Sequence, residues 1–379
     1  MKKMLLSILI SLVIMAVPAF ARNTAASDLL KGEFSLYSTF QGEGRSIPDL
    51  NTRFDLIFAE GDWDNEFFVE LNYAGNLQHN DFNLDLGEAY YKYYGDNYDL
   101  GIGQQVISWG TAVEFNPTDN INPVESPELF TGKRPIPMFY GTYYLNNNYS
   151  ISGVFVPFHQ PVMTTVNIQE NEFAAKKVAG DWQNSKYALK FSAKGIKGVD
   201  YSLSYLHGFE DLPTIGRLET PLGPQPDPTN IYFRKYDIIG VDIASSYQGV
   251  GFWGEAAYFH PEEGEGYYSA VLGADYKFAG GYYLEGQIIY KKDQMLNENI
   301  LLQGAVEKDL LTIHTFRTGM VYNPETKGIV LKPEINLSLT DEACLKVDYQ
   351  FIDGEPLKTN MNILPPMKDS LGVELWYAF

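Results

Sequence analysis

The sequence predicts an all-β fold: an antiparallel β-barrel of about 18 strands that crosses a membrane. Three observations support this prediction. Apolar and polar residues alternate with period two along most of the chain, each alternating segment is about 10 residues long, and the charged residues of a segment share one face. Alternation alone also fits a soluble sandwich. The segment length and the charge sorting favour a bilayer, because a lysine facing lipid at mid-membrane costs about 2–4 kcal/mol.

The first 21 residues have the features of a secretory signal peptide. Lys2 and Lys3 precede an apolar stretch at 4–17, and Ala19-Phe20-Ala21 is a small-x-small cleavage motif. We expect cleavage after Ala21, with an uncleaved anchor as the alternative. Residues 22–379 would then form a single barrel domain that is exported through the periplasm to the outer membrane.

The alternation is clearest in the second half of the chain. Between 266 and 278, Tyr268 and Leu272 belong to an apolar face, whereas Asp275 belongs to the opposite, polar face. The last segment also alternates, with Leu371, Val373, Leu375, Tyr377 and Phe379 on one face. Tyrosine and phenylalanine cluster near segment ends, as the aromatic girdle of a membrane barrel requires.

The connections between segments alternate in length, which gives a strand count. Short turns fall at 61–65, 95–97, 146–148, 195–198, 247–250, 279–281, 308–310 and 340–342. Longer loops fall at 41–49, 76–81, 109–137, 158–184, 209–230, 261–265, 292–297, 323–328 and 354–368. Short periplasmic turns and long extracellular loops are typical of outer-membrane barrels. This pattern predicts 18 strands, or 16 if the weakly patterned region 298–322 is one strand plus a long loop and another pair of segments also merges.

Composition excludes several classes of function. The chain has 28 Lys+Arg against 48 Asp+Glu, a formal net charge of -20, so we expect no nucleic-acid partner. Cys344 is the only cysteine, which rules out an intrachain disulfide and a cysteine-based metal site. The partners expected instead are outer-membrane lipid and small hydrophilic solutes, with the oligomeric state open between a monomer and a homo-oligomer.

The longest loop, 109–137, is the best candidate for narrowing the pore. It contains five prolines, which prevent regular structure throughout, and apolar residues such as Phe115 and Ile121 that an exposed loop does not need. We therefore expect it to fold into the barrel and form a constriction. The alternative is an outer cap with ordinary surface charges.

The expected constriction opposes acidic and basic side chains, an arrangement that orients polar solutes through the local field. The predicted pore-lining residues are Glu114, Asp119, Glu125 and Glu128 of the loop, facing Lys133, Arg134 and the wall residues Lys190 and Arg317, with Glu285 and Glu334 also on the wall. The surplus of acid predicts a mild cation preference. Inward aromatic residues such as Phe68, Tyr283 and Trp376 would either contact sugar rings or fill space.

We find no enzymatic or cofactor motif in the sequence. None of the five histidines lies in a recognisable His-Ser or His-Asp motif, although strands could bring such a pair together in space. The 116–125 segment is rich in asparagine and acid but lacks the ligand spacing of a calcium loop. We therefore expect neither catalysis, nor a cofactor, nor a metal.

Two resemblances to known families can be drawn from these residues. The signal peptide, the alternating strands and the terminal Phe379 resemble Gram-negative outer-membrane barrels, which implies that the barrel-assembly machinery reads the C-terminal aromatic residue. More narrowly, Gly103-x-Gln105-x-x-x-Trp109-Gly110 with its Asn-Pro-rich loop resembles a family of porin-like outer-membrane proteins. That family is distantly similar to alginate-export-type channels, but an acid-rich chain does not suit export of a polyanion.

The function that follows is that of a porin, a water-filled barrel through which small hydrophilic solutes diffuse passively. Two other functions stay open at this point. One is an outer-membrane enzyme such as a lipid hydrolase, and the other is a structural or adhesive barrel with a plugged lumen.

Overall fold

The computed structural model describes residues 30–379 except 42–48, 80, 125–131, 163, 169–170, 221–222, 293–297, 312 and 358–367. The described residues form one 18-stranded sheet and two small two-stranded sheets. None of the helices in this part of the chain is long and apolar enough to cross a membrane. The fold is therefore all-β, as the sequence predicts.

The strands are numbered in chain order. The first half contains β1 (Leu30–Gln41), β2 (Asp49–Gly61), β3 (Asn65–Asn76), β4 (Asp81–Tyr94), β5 (Tyr98–Gln105), β6 (Ile136–Tyr144), β7 (Tyr149–Val156), β8 (Thr165–Ile168), β9 (Asn171–Ala174), β10 (Lys186–Ile196) and β11 (Val199–Phe209). The second half contains β12 (Thr214–Thr220), β13 (Gly223–Tyr232), β14 (Lys235–Tyr247), β15 (Val250–Pro261), β16 (Tyr267–Lys277), β17 (Tyr282–Lys291), β18 (Asn299–Leu310), β19 (His314–Tyr322), β20 (Ile329–Ser338), β21 (Ala343–Asp353) and β22 (Ser370–Ala378).

The large sheet closes on itself. Strand β1 pairs antiparallel with both β2 and β22, and Phe34 lies opposite Phe54 on one side and Tyr377 on the other. Closure gives the backbone groups of both terminal strands a partner, as hydrocarbon requires. The count of 18 strands is confirmed. The ambiguous region 298–322 forms β18 and β19, whose turn lies a few residues later than the predicted 308–310.

The smaller elements lie in the long connections rather than in the barrel. The hairpin β8–β9 and the 3-10 turn Trp182–Asn184 belong to the connection between β7 and β10. The hairpin β12–β13 belongs to the connection between β11 and β14. The sequence predicts loops in both connections. In β13, the prolines of 224–228 interrupt the alternation of apolar and polar residues that would indicate a strand.

Each barrel strand has an apolar outer face and an inner face that is polar or packed. On β17, Leu284 and Ile288 are exposed to the outside, whereas Gln287 and Ile289 point inward and are buried. The predicted alternation is confirmed here and on β16, where Leu272 is exposed and Ser269 is buried. This is the pattern that lipid outside and a separate interior impose.

In the described part of the chain, the large buried side chains of the interior concentrate on β6 to β20. Inward residues of β7, β10, β14 and β15 are buried in a cluster that includes Trp109 and Ile121 of the connection between β5 and β6. A second buried cluster on β16 to β20 packs against Ala112 and Phe115 of the same connection. Other inward residues, such as Glu70 and Asp348, are only partly buried. The barrel thus has a packed side and a more open side.

Candidate functional site

The described part of the connection between β5 and β6, which spans residues 106–135, lies inside the barrel. The structure describes its residues 106–124 and 132–135. Side chains from β10, β15, β17, β18 and β19 hold it by hydrogen bonds and ion pairs. We call this segment the inner loop. Its inward path agrees with the position predicted for a constriction.

Glu255 of β15 is the main anchor of the inner loop. Its side chain is buried, with the residue 4% exposed. One carboxylate oxygen accepts hydrogen bonds from the backbone N–H groups of Thr111 and Ala112, the second at 2.7 Å. The other oxygen accepts from the Thr118 hydroxyl at 2.9 Å and from the Thr118 N–H at 3.3 Å. A buried carboxylate is stable only when such donors surround it.

Glycine is required next to this anchor. Gly110 has φ 112, a conformation that residues with a Cβ rarely adopt, and a Cβ there would lie 2.6 Å from a Glu255 oxygen. The Trp109-Gly110 pair is therefore explained by close approach of the loop backbone to a wall carboxylate. Sequence analysis missed Glu255, because it is one of many inward acids and its partners are backbone groups far away in the chain.

Asp119 and Lys133 form a buried pair that ties the two ends of the inner loop together. The Lys133 ammonium lies 2.5 Å from the Asp119 carboxylate and also donates to the Asp119 carbonyl at 2.9 Å. The same carboxylate accepts the Trp109 N–H at 3.0 Å. Burial lowers the pKa of Lys133, and the charge of Asp119 opposes that shift. Both residues belong to the predicted site, and their role here is to hold the loop.

Arg317 of β19 links the tip of the inner loop to the opposite wall. Its guanidinium lies 2.8 Å from Glu285, 3.3 Å from Glu114 and 3.9 Å from Glu307. Glu114 has a left-handed backbone, φ 61, and also accepts a hydrogen bond from Gln303 of β18. Three predicted residues, Glu114, Glu285 and Arg317, are thus brought together. They form what we call the arginine hub, together with Glu307.

The remaining predicted residues that the structure describes have other partners. Lys190 pairs with Asp242 of the wall at 3.2 Å, and Glu334 pairs with Lys346 at 3.1 Å. Arg134 donates to the backbone carbonyls of Gln160 and Pro161 in the next outer connection, at 3.1 and 2.7 Å. The other two predicted acids, Glu125 and Glu128, lie outside the described residues. The pairing of Lys190 with Asp242 was not predicted, because it depends on strand register.

Lys186 is a second anchor that sequence analysis missed. Its buried ammonium donates to the Ile121 carbonyl and to the Asp211 carboxylate, both at 3.1 Å. Burial raises the pKa of Asp211, and the charge of Lys186 opposes this shift. The pair joins the inner loop to β10 and to the start of the β11–β14 connection.

Solved structures with a similar fold include outer-membrane β-barrels. Wzi of Escherichia coli, an outer-membrane protein involved in group 1 capsule assembly and a carbohydrate-binding β-barrel, aligns over 93% of this chain and 86% of its own, with 13% identity and a TM-score of 0.57. OccAB4 of Acinetobacter baumannii aligns over 92% and 97%, with 8% identity and a TM-score of 0.58. OccAB3 of the same organism aligns over 93% and 98%, with 12% identity and a TM-score of 0.56.

The chain has the fold of an outer-membrane β-barrel. No family model and no curated protein matches the sequence. Identities this low show the fold alone. The resemblance to porin-like and alginate-export-type families, drawn from Gly103 to Gly110, therefore stays a prediction.

The contacts of this site hold the inner loop against the barrel wall. In the described residues, no group of three or more His, Cys, Asp or Glu is placed to hold a metal ion. His159, in the outer connection after β7, packs between Phe209 and Phe233, and burial lowers its pKa to about 3. A ring that stays neutral and is enclosed by aromatic residues serves packing.

The Glu255 anchor gives a direct test of the inner loop's position. Glu255→Gln turns one acceptor oxygen into a donor that faces backbone donors, at a cost of about 1–3 kcal/mol for each N–H left unpaired. We expect the loop to loosen, so that trypsin added from outside cleaves after Lys133 on the order of tenfold faster than in the wild type. Cleavage is followed by gel electrophoresis of membranes containing the folded protein.

Glu374→Gln is the matched control, because Glu374 occupies an inward position of β22 opposite Lys346. It makes the same change of charge without touching the anchor, and cleavage at Lys133 is expected to stay at the wild-type rate. Equal protection of E255Q and the wild type would show that Glu255 does not hold the loop.

Proposed function

We propose that this protein is an outer-membrane porin through which small hydrophilic solutes diffuse passively. The observation that supports the proposal most directly is the position of the inner loop. Three wall residues, Glu255, Lys186 and Arg317, hold it inside the barrel. A loop fixed at this place narrows a lumen that 18 strands would otherwise leave wide. We therefore propose a channel rather than an enzyme. We also propose that the protein is exported through the periplasm to the outer membrane.

Size filtering in this proposal follows from the asymmetric packing of the interior. The inner loop packs against buried inward residues of β7, β10, β14 and β15 and against the second cluster on β16 to β20, so solutes pass along the remaining side of the barrel. That side carries partly exposed polar residues such as Glu70 of β3 and Asp348 of β21. Water and hydrophilic solutes would be accommodated there, because these groups hydrate readily.

Electrostatic filtering is assigned to the arginine hub. Arg317 lies among three carboxylates, Glu114, Glu285 and Glu307, and its guanidinium is about one-third exposed. Charges of both signs at a narrow point orient polar solutes, and the excess of carboxylate favours cations.

Two further partners belong to the proposal. Phe379 at the C-terminus stacks near Phe54 and Tyr377, at the seam where β1 meets β22. We propose that the barrel-assembly machinery reads this residue before the seam closes. The apolar outer face would contact outer-membrane lipid, and the protein would act as a monomer or as a homo-oligomer.

The experiment that tests the porin is recording in planar lipid bilayers with the purified protein, combined with a solute-size series in liposomes. We expect a steady open conductance and a sharp fall in permeation as solute size increases. A barrel plugged for a structural or adhesive role would give no steady conductance. Release of fatty acid from lipid substrates would point to a hydrolase instead.

The role of the hub predicts a change in ion selectivity. Arg317→Gln removes the cation that lies among three carboxylates, so the ratio of potassium to chloride permeability should rise by about twofold or more. The reversal potential in a salt gradient measures this ratio.

Lys308→Gln makes the same change of charge away from the lumen, since the Lys308 ammonium lies 4.2 Å above the Tyr282 ring near a periplasmic turn. We expect K308Q to keep the wild-type reversal potential. An unchanged reversal potential for R317Q would remove the hub from the ion path.

A further inference from the structure

A cavity of about 340 Å³ lies between the inner loop and the wall, towards the outer end of the barrel. It is distinct from the arginine hub, although Glu114 borders both. The loop contributes Phe115 together with polar residues such as Asn116, Asp119 and Asn122 to its lining, and strands β15 to β19 contribute Phe259, Tyr267, Ile289, Leu301 and Val321. This volume lies within the range of small-molecule sites, and a lining that combines aromatic and aliphatic side chains with polar groups is typical of them.

The aromatic side chains of the cavity are arranged for stacking. The rings of Phe259 and Tyr267 lie 4.8 Å apart between centroids and are nearly parallel, at 6°. Phe115 of the inner loop lies 5.3 Å from the Lys291 ammonium, measured to the ring centroid. A further flat ring can stack against such surfaces in an offset arrangement. The geometry therefore suits a planar, apolar ring.

The four carboxylates that line the cavity are each paired with a cation. The pairs are Asp119 with Lys133 at 2.5 Å, Asp211 with Lys186 at 3.1 Å, Glu210 with Arg234 at 2.8 Å and Glu114 with Arg317 at 3.3 Å. Two further lysines, Lys291 and Lys292, also border the cavity, and the Lys291 ammonium lies over the Phe115 ring. A charged ligand would lose its hydration here and compete with these pairs, whereas an uncharged ligand leaves them intact.

Hydrogen bonding to a hydroxyl group is nevertheless available. Carboxylates such as Asp211 and Glu210 have lone pairs beyond those used by their cation partners, and each lies on the cavity. A ligand O–H can donate to such an oxygen without changing the charge balance.

We propose that this cavity binds an uncharged solute built on a single aromatic ring that carries a hydroxyl group, as in a phenol or a benzyl alcohol. The claim that such a solute is transported rests on the porin function proposed above. The claim that the cavity binds it does not. The solute would pause here beside the passage, with its ring among Phe115, Phe259 and Tyr267.

The test uses 4-fluorobenzyl alcohol as the probe and fluorine NMR of the full-length protein in detergent. We expect saturable binding to the wild type. Ile289→Phe adds a ring at a cavity residue that is 3% exposed and should weaken binding by about tenfold or abolish it. Ile288→Phe makes the same change on the lipid-facing side of the strand, where the residue is 55% exposed, and should bind as the wild type does.

Phe115→Ala decides the question if I289F fails to fold, because it alters only the inner loop. It should weaken binding by about three- to tenfold. The ring-matched ions 4-fluorobenzoate and 4-fluorobenzylamine should bind about tenfold more weakly than the alcohol, and a fluorinated glucose should not compete.

Four results would overturn the inference: no saturable binding to the wild type, equal binding to I289F, equal binding to F115A, or tighter binding of a charged or sugar probe. Conductance measured on the same preparations separates this inference from the porin. Conductance without probe binding would contradict the proposed binding site and leave the porin function intact. Probe binding without conductance would contradict the porin function and leave the binding site intact.

Discussion

Replacing residues 111–132 by a flexible glycine-serine linker of about eight residues is expected to raise the single-channel conductance by about twofold or more. The deletion removes every loop group that Glu255 holds, including the N–H groups of Thr111 and Thr118. It also removes Glu114 from the arginine hub. With the loop gone, its side chains no longer narrow the lumen of the 18-stranded barrel, so larger solutes should also pass.

The measurement is single-channel recording together with the liposome size series. A suitable control shortens an outer hairpin instead, by replacing residues 218–225 with a two-glycine turn between Arg217 and Pro226, which are Cα partners in β12 and β13. That change should leave the conductance within the scatter of the wild type. If the 111–132 replacement leaves conductance and size limit unchanged, the inner loop is not the constriction.

The barrel could be predicted from the sequence because the two faces of each strand have different surroundings, apolar outside and polar or packed inside. Leu272 and Asp275 lie on opposite faces of β16, and that sorting repeats along the chain whatever the loops do. Turn and loop lengths then fix the number of strands. The inward course of the inner loop was also predictable, because Phe115 and Ile121 need burial and the prolines exclude a strand.

The anchors of that loop could not be predicted in the same way. Glu255 binds backbone N–H groups, which every residue has, across more than a hundred positions of the chain. Lys186 binds the Ile121 carbonyl, so no complementary side chain marks it either. Residues of opposite charge in a sequence suggest ion pairs between side chains. They do not reveal which inward carboxylate of the wall accepts hydrogen bonds from the backbone of a loop.

Register limits the prediction of wall pairs for a related reason. Lys190 lies opposite Ser204 on β11, and its acid partner Asp242 lies one strand further, on β14. An error of a single step in either register would give Lys190 a different partner. The identity of the inward-facing residues therefore follows from the alternation, whereas their pairing follows only from the structure.

Gly103→Ala is expected to destabilise the barrel on the order of 3 kcal/mol, because the strand that leads into the inner loop has no room for a side chain there. Gly103 of β5 has φ 132, a region that is essentially confined to glycine. A Cβ would collide with the Ala89 carbonyl oxygen and lie 2.6 Å from the Tyr90 Cα. Both obstacles are backbone atoms of β4, so a rotamer change cannot relieve them.

The effect is measured by urea unfolding in lipid vesicles and by the heat-dependent mobility shift of the folded barrel on gels. Gly319→Ala is the control, since Gly319 also lies on a barrel strand and a Cβ there meets nothing within 4 Å. We expect G319A to unfold at the wild-type urea concentration and G103A well below it. Equal urea midpoints would mean that β4 and β5 can move apart at this position without loss of stability. Close approach of the two backbones would then not explain why position 103 is a glycine.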